Sequence, residues 1–139
     1  MPRAHGIDHV SLAVNNIDAA LEFFCGLFDV KPENVRRWNS DGFDGAIFHV
    51  GTGKFELLAP SDPNGFVARF LASRGEGVHH VTMQVENLEA VRTKLDEMRV
   101  PHFGDTTEEG IEETFIHPRN AFGVLMQLLE TPWEVKPQD

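Results

Sequence analysis

The sequence predicts an α+β fold built from two tandem βαβββ modules, and an internal repeat is the first observation behind that prediction. Residues 6–19 align with residues 77–90 at an offset of 71, with six identities among 14 aligned pairs. Both copies begin with alternating apolar and small or polar residues, which is the period of a strand. Both continue with apolar residues at helical spacing. A duplicated strand–helix unit accounts for these observations.

The remaining elements follow in the same order in each half. An asparagine, Asn16 or Asn87, stands after the first strand, where its side chain can cap a helix. Short strands are expected at about 34–39, 43–50 and 53–59, and again at about 101–104, 111–117 and 122–130. One domain, 1–139, is therefore expected to contain module 1 at about 6–60, a linker helix within about 61–75, module 2 at about 76–130 and a tail at 131–139.

Composition excludes several classes of protein. A chain of 139 residues with 41% hydrophobic and 24% charged residues is typical of one globular domain. The net charge of −10 argues against a nucleic-acid partner, and no apolar run approaches the roughly 20 residues of a membrane span. The single cysteine, Cys25, excludes an internal disulfide and a four-cysteine zinc site. We expect a cytoplasmic protein whose partner is a small molecule.

Polar residues recur at the same offset as the repeat. Glu56 lies within an apolar strand, and a shift of 71 leads to Gln127 in another. His9 precedes Glu56 by 47 positions, and His80 precedes Gln127 by 47 positions. Imidazole nitrogens and carboxylate or amide oxygens suit a borderline divalent ion. The spacing predicts that these four residues bind one ion of zinc, nickel, cobalt, iron or manganese.

Several stretches resemble the vicinal oxygen chelate superfamily, most of all its methylmalonyl-CoA epimerase and glyoxalase I branches. The resemblance covers residues 6–130 and is strongest at 6–10, 75–81, 114–119 and 123–128. It implies a glyoxalase-like fold, in which paired modules form a curved mixed sheet around a divalent metal, usually in a homodimer. The ligand positions of the family fall on His9, Glu56, His80 and Gln127.

Two positions depart from the epimerase pattern. Epimerases commonly have glutamine at the first-half ligand position and glutamate at the second, whereas this chain has Glu56 and Gln127. Epimerases also carry an additional base where this chain has Gly45, and Asp44 is the adjacent carboxylate. We therefore expect Glu56 to be the catalytic base, with Asp44 as the second candidate.

The resemblance implies a metal-dependent isomerase or lyase that abstracts a proton next to a metal-chelated carbonyl. Its substrate would be an acyl-CoA thioester or a glutathione adduct. Arg119 and His117 lie in a predicted turn that borders the active site of epimerase-like relatives, where they are expected to meet an anionic substrate. Two alternatives stay open: an iron-dependent dioxygenase of the same superfamily, and a binding or resistance protein that performs no chemistry.

Overall fold

The structure is a computed structural model, which describes residues 3–108 and 110–131. Its elements in chain order are β1 (Ala4–Ala13), α1 (Ile17–Phe28), β2 (Arg36–Ser40), β3 (Phe43–Val50), β4 (Gly53–Pro60), α2 (Phe66–Arg74), β5 (Gly77–Val85), α3 (Leu88–Glu97), β6 (Phe103–Glu108), β7 (Ile111–Ile116) and β8 (Met126–Glu130). The predicted α+β class and the repeated βαβββ order are therefore confirmed. The predicted tail lies, after Thr131, outside the described residues.

Contacts along the chain define two compact units, and the first consists of residues 9–79. Its strands lie in the order β2-β3-β4-β1, with β1 parallel to β4 and the other pairs antiparallel. Helix α1 covers one face of this sheet, where Phe48 and Leu57 are almost fully buried. Helix α2 packs against Ala13 and Leu58 on the other face. His9 on β1 and Glu56 on β4, two of the predicted ligands, lie on this same face of the sheet.

Of the residues that the structure describes, the second unit comprises 3–8, 80–108 and 110–131. Its strands lie in the order β5-β8-β7-β6, with β5 parallel to β8. Helix α3 covers one face through Leu88 and Leu95, which pack against Val85 and Leu128. No helix among the described residues combines the length and the apolarity that a membrane span requires.

The helix starts agree with the asparagine caps that the sequence predicts. The Asn16 Oδ1 atom accepts a hydrogen bond from the Ala19 N–H at 2.9 Å, and the Asn87 Oδ1 atom accepts one from the Ala90 N–H at 3.0 Å. Each contact satisfies a donor that the first turn of a helix leaves unpaired, and such a cap stabilises a protein by about 1 kcal/mol. The two copies of the repeat therefore begin their helices with the same asparagine hydrogen bond.

Three strand boundaries differ from the sequence prediction. Residues 32–34 form a short 3-10 turn that begins with proline, so β2 starts only at Arg36. Strand β6 runs from Phe103 to Glu108, several residues later than predicted. Strand β8 starts at Met126 because Phe122 and Gly123 have φ angles of 57° and 95°. Left-handed backbone of this kind cannot continue a strand.

Asp105 on β6 allows a prediction about stability and pH. The buried Thr114 hydroxyl donates to its carboxylate, and together with His102 and Arg92 it holds the pKa of Asp105 below its usual value. A lowered folded-state pKa stabilises the protein above the unfolded pKa of about 4, and this stabilisation is lost as the pH falls through the folded-state pKa.

Asp105→Asn is therefore expected to lower the free energy of unfolding at pH 7 and to have little effect in strong acid. Because the Asp105 side chain is 47% exposed, we expect a loss of only about 0.5–1 kcal/mol. Urea denaturation of the wild type and the variant at pH 7 and in strong acid measures the difference in their free energies of unfolding. An equal loss at both would contradict this account of Asp105.

Candidate metal centre

His9 and Glu56 lie side by side in the first unit. Parallel pairing of β1 with β4 places Ser11 opposite Glu56, and His9 projects from the same face as Ser11. His9 Nε2 is 3.8 Å from Glu56 Oε1, and the two side chains are 11% and 13% exposed. Two donor atoms at this separation fit one divalent ion with bonds of about 2.0–2.2 Å. The structure thus brings together two of the four predicted ligands within this unit.

Ser11 holds the carboxylate of Glu56 in place. Its hydroxyl is fully buried and donates a hydrogen bond to Glu56 Oε1. An ionised carboxylate has about four acceptor sites, so this bond leaves others for a cation or a substrate proton. Hydrogen bonds of this kind orient metal ligands in proteins.

The second unit repeats this arrangement with an amide in place of the carboxylate. Parallel pairing of β5 with β8 places Thr82 opposite Gln127. The fully buried Thr82 hydroxyl donates to Gln127 Oε1 at 2.6 Å. His80 stands two residues before Thr82 on β5 and therefore shares the face of Gln127. Each unit presents an imidazole and a side-chain oxygen on one sheet face, with the oxygen hydrogen-bonded by a hydroxyl two residues after the histidine.

Glu113 on β7 is a residue of this site that the sequence did not reveal. Antiparallel pairing of β7 with β8 puts Phe115 opposite Gln127, so Glu113 lies on the same face as Gln127 and two residues along. Gln127 Nε2 donates to Glu113 Oε2 at 2.6 Å. Thr106 Oγ1 donates to Glu113 Oε1 at 3.0 Å. The amide of Gln127 therefore has a hydrogen-bond partner at both ends.

The first unit has Gly45 at the position that matches Glu113. Ile47 lies opposite Glu56 on β3, as Phe115 lies opposite Gln127 on β7. Gly45 precedes Ile47 by two residues, as Glu113 precedes Phe115, which gives an offset of 68 rather than 71. A fixed offset of 71 therefore could not reveal this equivalence, and only the strand register shows it.

Asp44, the second candidate base, does not share a face with Glu56. It lies opposite Ala59 in the β3–β4 ladder, on the face that α1 covers. Glu56 lies opposite Ile47, on the other face of the same sheet. Asp44 Oδ1 instead accepts a hydrogen bond from Asn39 Nδ2 at 2.5 Å. This register removes the reason for choosing Asp44 as a base beside Glu56.

Gly45 itself is fixed by a close neighbour. A Cβ atom at this position would stand 2.3 Å from Cε2 of Trp38, which lies opposite it on β2. The Trp38 ring thus fills the space that a side chain at position 45 would occupy. A side chain at position 45 requires this ring to move.

Gly45→Ala is expected to lower the free energy of unfolding by about 1–3 kcal/mol, the usual cost of overpacking. Trp38→Leu in the same chain should reduce that cost, because the smaller side chain makes room for the methyl group. Urea denaturation of the single and double variants measures both effects. A Gly45→Ala protein as stable as the wild type would contradict the close packing described for Trp38.

The two predicted substrate-binding residues lie between β7 and β8. His117 caps a 3-10 turn at Pro118–Asn120, where its Nδ1 atom accepts a hydrogen bond from the Arg119 N–H at 3.1 Å. Both side chains are exposed. The Arg119 side chain is therefore accessible from solvent.

Known proteins resemble this chain over most of its length. Residues 8–117 match the family model for the glyoxalase/bleomycin resistance protein/dioxygenase superfamily. The mitochondrial methylmalonyl-CoA epimerase of Mus musculus is 26% identical over 126 residues, which span 88% of this chain and 71% of that protein. The ethylmalonyl-CoA/methylmalonyl-CoA epimerase of Cereibacter sphaeroides is 25% identical over 127 residues, which span 88% of this chain and 95% of that protein.

A crystal structure supports the same resemblance. The methylmalonyl-CoA epimerase of Mycobacterium tuberculosis has a TM-score of 0.79 and 29% sequence identity. The similarity covers 92% of this chain and 89% of the M. tuberculosis chain. These three relatives are named as epimerases, which are isomerases.

Proposed function

Because the chain belongs to the glyoxalase/bleomycin resistance protein/dioxygenase superfamily, we propose that it is a metal-dependent epimerase of a 2-substituted malonyl thioester, with methylmalonyl-CoA as the first substrate to test. The three relatives described above, which are 25–29% identical and are named as methylmalonyl-CoA or ethylmalonyl-CoA/methylmalonyl-CoA epimerases, support this substrate class. The observation that carries the proposal is the repeated pair of an imidazole and a hydroxyl-bonded oxygen ligand, one pair in each unit.

We propose that His9, Glu56, His80 and Gln127 bind one divalent ion. Two imidazoles, one carboxylate and one amide suit zinc, nickel, cobalt, iron or manganese. With one anionic ligand, the occupied site would carry a net charge of about +1, and four protein ligands leave room for substrate oxygens. Such an ion supplies positive charge that polarises the carbonyl next to the reacting carbon.

Glu56 is the residue that we propose to take and return the proton at the substrate α-carbon. It is the carboxylate of the β1–β4 pair, it is almost buried, and Ser11 holds one of its oxygens. Removal of the α-proton leaves a planar carbon and a protonated Glu56. Return of the proton by Glu56 to the same side restores the starting epimer, whereas delivery of a proton by a solvent water to the opposite side gives the other epimer, and Glu56 then loses its proton to solvent. Asp44, on the opposite face of the sheet, takes no part in this proposal.

Substrate contacts and assembly complete the proposal. Arg119 and His117 would bind anionic groups of the coenzyme A thioester at the mouth of the site, because both side chains are exposed in the loop after β7. The protein would act as a homodimer, as the family resemblance implies.

Exchange of the α-proton in heavy water tests this function. The purified protein is stripped with a chelator, reloaded with each candidate metal ion in turn, and incubated with one epimer of methylmalonyl-CoA. We expect metal-dependent deuterium incorporation together with formation of the other epimer. Iron-dependent oxygen uptake without exchange would instead indicate a dioxygenase. Tight ligand binding with neither reaction would indicate a binding protein, and both results would contradict the proposal.

A further inference from the structure

We propose that Glu113 is a positioning residue that fixes the side-chain amide of Gln127, so that its oxygen and not its nitrogen is offered to the metal. The inference rests on the proposed function, which assigns Gln127 to the metal site. The two ends of a glutamine amide are not equivalent, because the oxygen has lone pairs for a cation and the NH₂ group has none to give. A glutamine ligand therefore needs a neighbouring group that holds its amide with the oxygen toward the ion.

Glu113 can fix the orientation of the Gln127 side-chain amide, whereas Thr82 cannot. The Thr82 hydroxyl lies 2.6 Å from Gln127 Oε1, but a hydroxyl can donate or accept and would tolerate either end of the amide. An ionised carboxylate only accepts, so the NH₂ group of Gln127 must point to Glu113 Oε2, 2.6 Å away. Reversal of the amide would set two acceptor oxygens against each other. Thr106 in turn donates to the other oxygen of Glu113.

The contact between Glu113 and Gln127 also explains why the glutamine is in the second unit and the glutamate in the first. In the first unit the position next to Glu56 is Gly45, which brings no second carboxylate to that face. In the second unit that position is Glu113, and a carboxylate at position 127 would repel it at hydrogen-bond distance. Glutamine at 127 thus avoids this repulsion beside Glu113, and glycine at 45 leaves Glu56 without a second carboxylate beside it.

Nuclear magnetic resonance of the Gln127 side-chain amide tests the orientation directly. Its two N–H signals are identified in ¹⁵N-labelled protein by their disappearance in Gln127→Ala. In the wild type we expect one amide proton to be shifted downfield by the carboxylate and to exchange slowly with water. In Glu113→Ala we expect this shift and this protection to be lost.

Titration with Co²⁺, followed by visible absorption, tests the consequence for the metal. We expect Glu113→Ala to weaken Co²⁺ binding by roughly 10-fold, which is within the range for loss of a residue that orients a metal ligand. Glu112→Gln is the matched control, because it removes the same charge from the neighbouring position of β7 on the opposite face. It should bind Co²⁺ within about two-fold of the wild type, because the Glu112 side chain lies on the face of the sheet opposite to Gln127.

Glu113→Gln separates orientation from charge and preserves the shape if Glu113→Ala fails to fold. Its amide can donate as well as accept, so we expect Co²⁺ binding between those of the wild type and Glu113→Ala, with a loss that persists in 0.5 M salt. Provided that the wild type binds Co²⁺, two results would overturn this inference alone. One is a loss of Co²⁺ affinity that high salt abolishes, and the other is a Gln127 amide signal that stays unchanged in both Glu113 variants. A wild-type protein that binds no Co²⁺ would contradict the proposed function itself.

Discussion

Glu56→Gln is expected to lower the rate of methylmalonyl-CoA epimerisation by about 10²–10⁴-fold, the usual contribution of a general acid–base group. Glutamine has the same shape and can still accept the hydrogen bond that Ser11 donates to Glu56 Oε1. It cannot accept a proton at neutral pH, so the α-proton has no acceptor at this position. The rate is measured from one pure epimer, together with deuterium incorporation at the α-carbon.

Glu22→Gln is a suitable control for Glu56→Gln. Glu22 is exposed on α1, so its replacement changes the net charge equally without touching the site. We expect this control to retain the wild-type rate. Normal proton exchange at the α-carbon in Glu56→Gln would refute the role proposed for Glu56.

His9→Ala is expected to abolish stoichiometric metal binding, and activity with it. The loss of a direct ligand should exceed the roughly 10–100-fold effect of losing a group that only orients a ligand. His9 Nε2 lies 3.8 Å from Glu56 Oε1, so its removal leaves the carboxylate without the neighbouring imidazole. Metal analysis after dialysis measures the bound ion. Replacement of His80, the proposed imidazole ligand from the second unit, by alanine should give the same loss.

His49→Ala is the matched control for His9→Ala. His49 and His9 both lie opposite Lys54 in the sheet of the first unit, but His49 is exposed near the end of β3. Its replacement should leave both metal content and rate unchanged. Full metal occupancy in a correctly folded His9→Ala protein would show that His9 is not a ligand.

The repeated elements could be predicted because their signals are local. Strand alternation in β1 and β5, and the asparagines before α1 and α3, are visible in short windows of sequence. The equal spacing of the two pairs, each of a histidine and a residue with a side-chain oxygen, follows from the duplication, and each pair lies on one face of two neighbouring strands. The repeat alone therefore predicts the four candidate ligands.

Features that depend on pairing between distant strands could not be predicted. The face of Asp44 is set by its register with Ala59, and the contact between Glu113 and Gln127 is set by the register of β7 with β8. A shift of one residue in either register would reverse the face. The late start of β8 depends on the left-handed backbone at Phe122, a residue type for which such a conformation is uncommon.

A crystal structure of the Co²⁺-loaded protein, with the ion located by its anomalous scattering, tests most directly whether both modules serve one metal centre. We predict a single ion about 2.0–2.3 Å from one donor atom each of His9, Glu56, His80 and Gln127. An ion bound by His9 and Glu56 without His80 and Gln127, or an ion bound elsewhere in the chain, would contradict the claim that both modules contribute ligands to one metal ion.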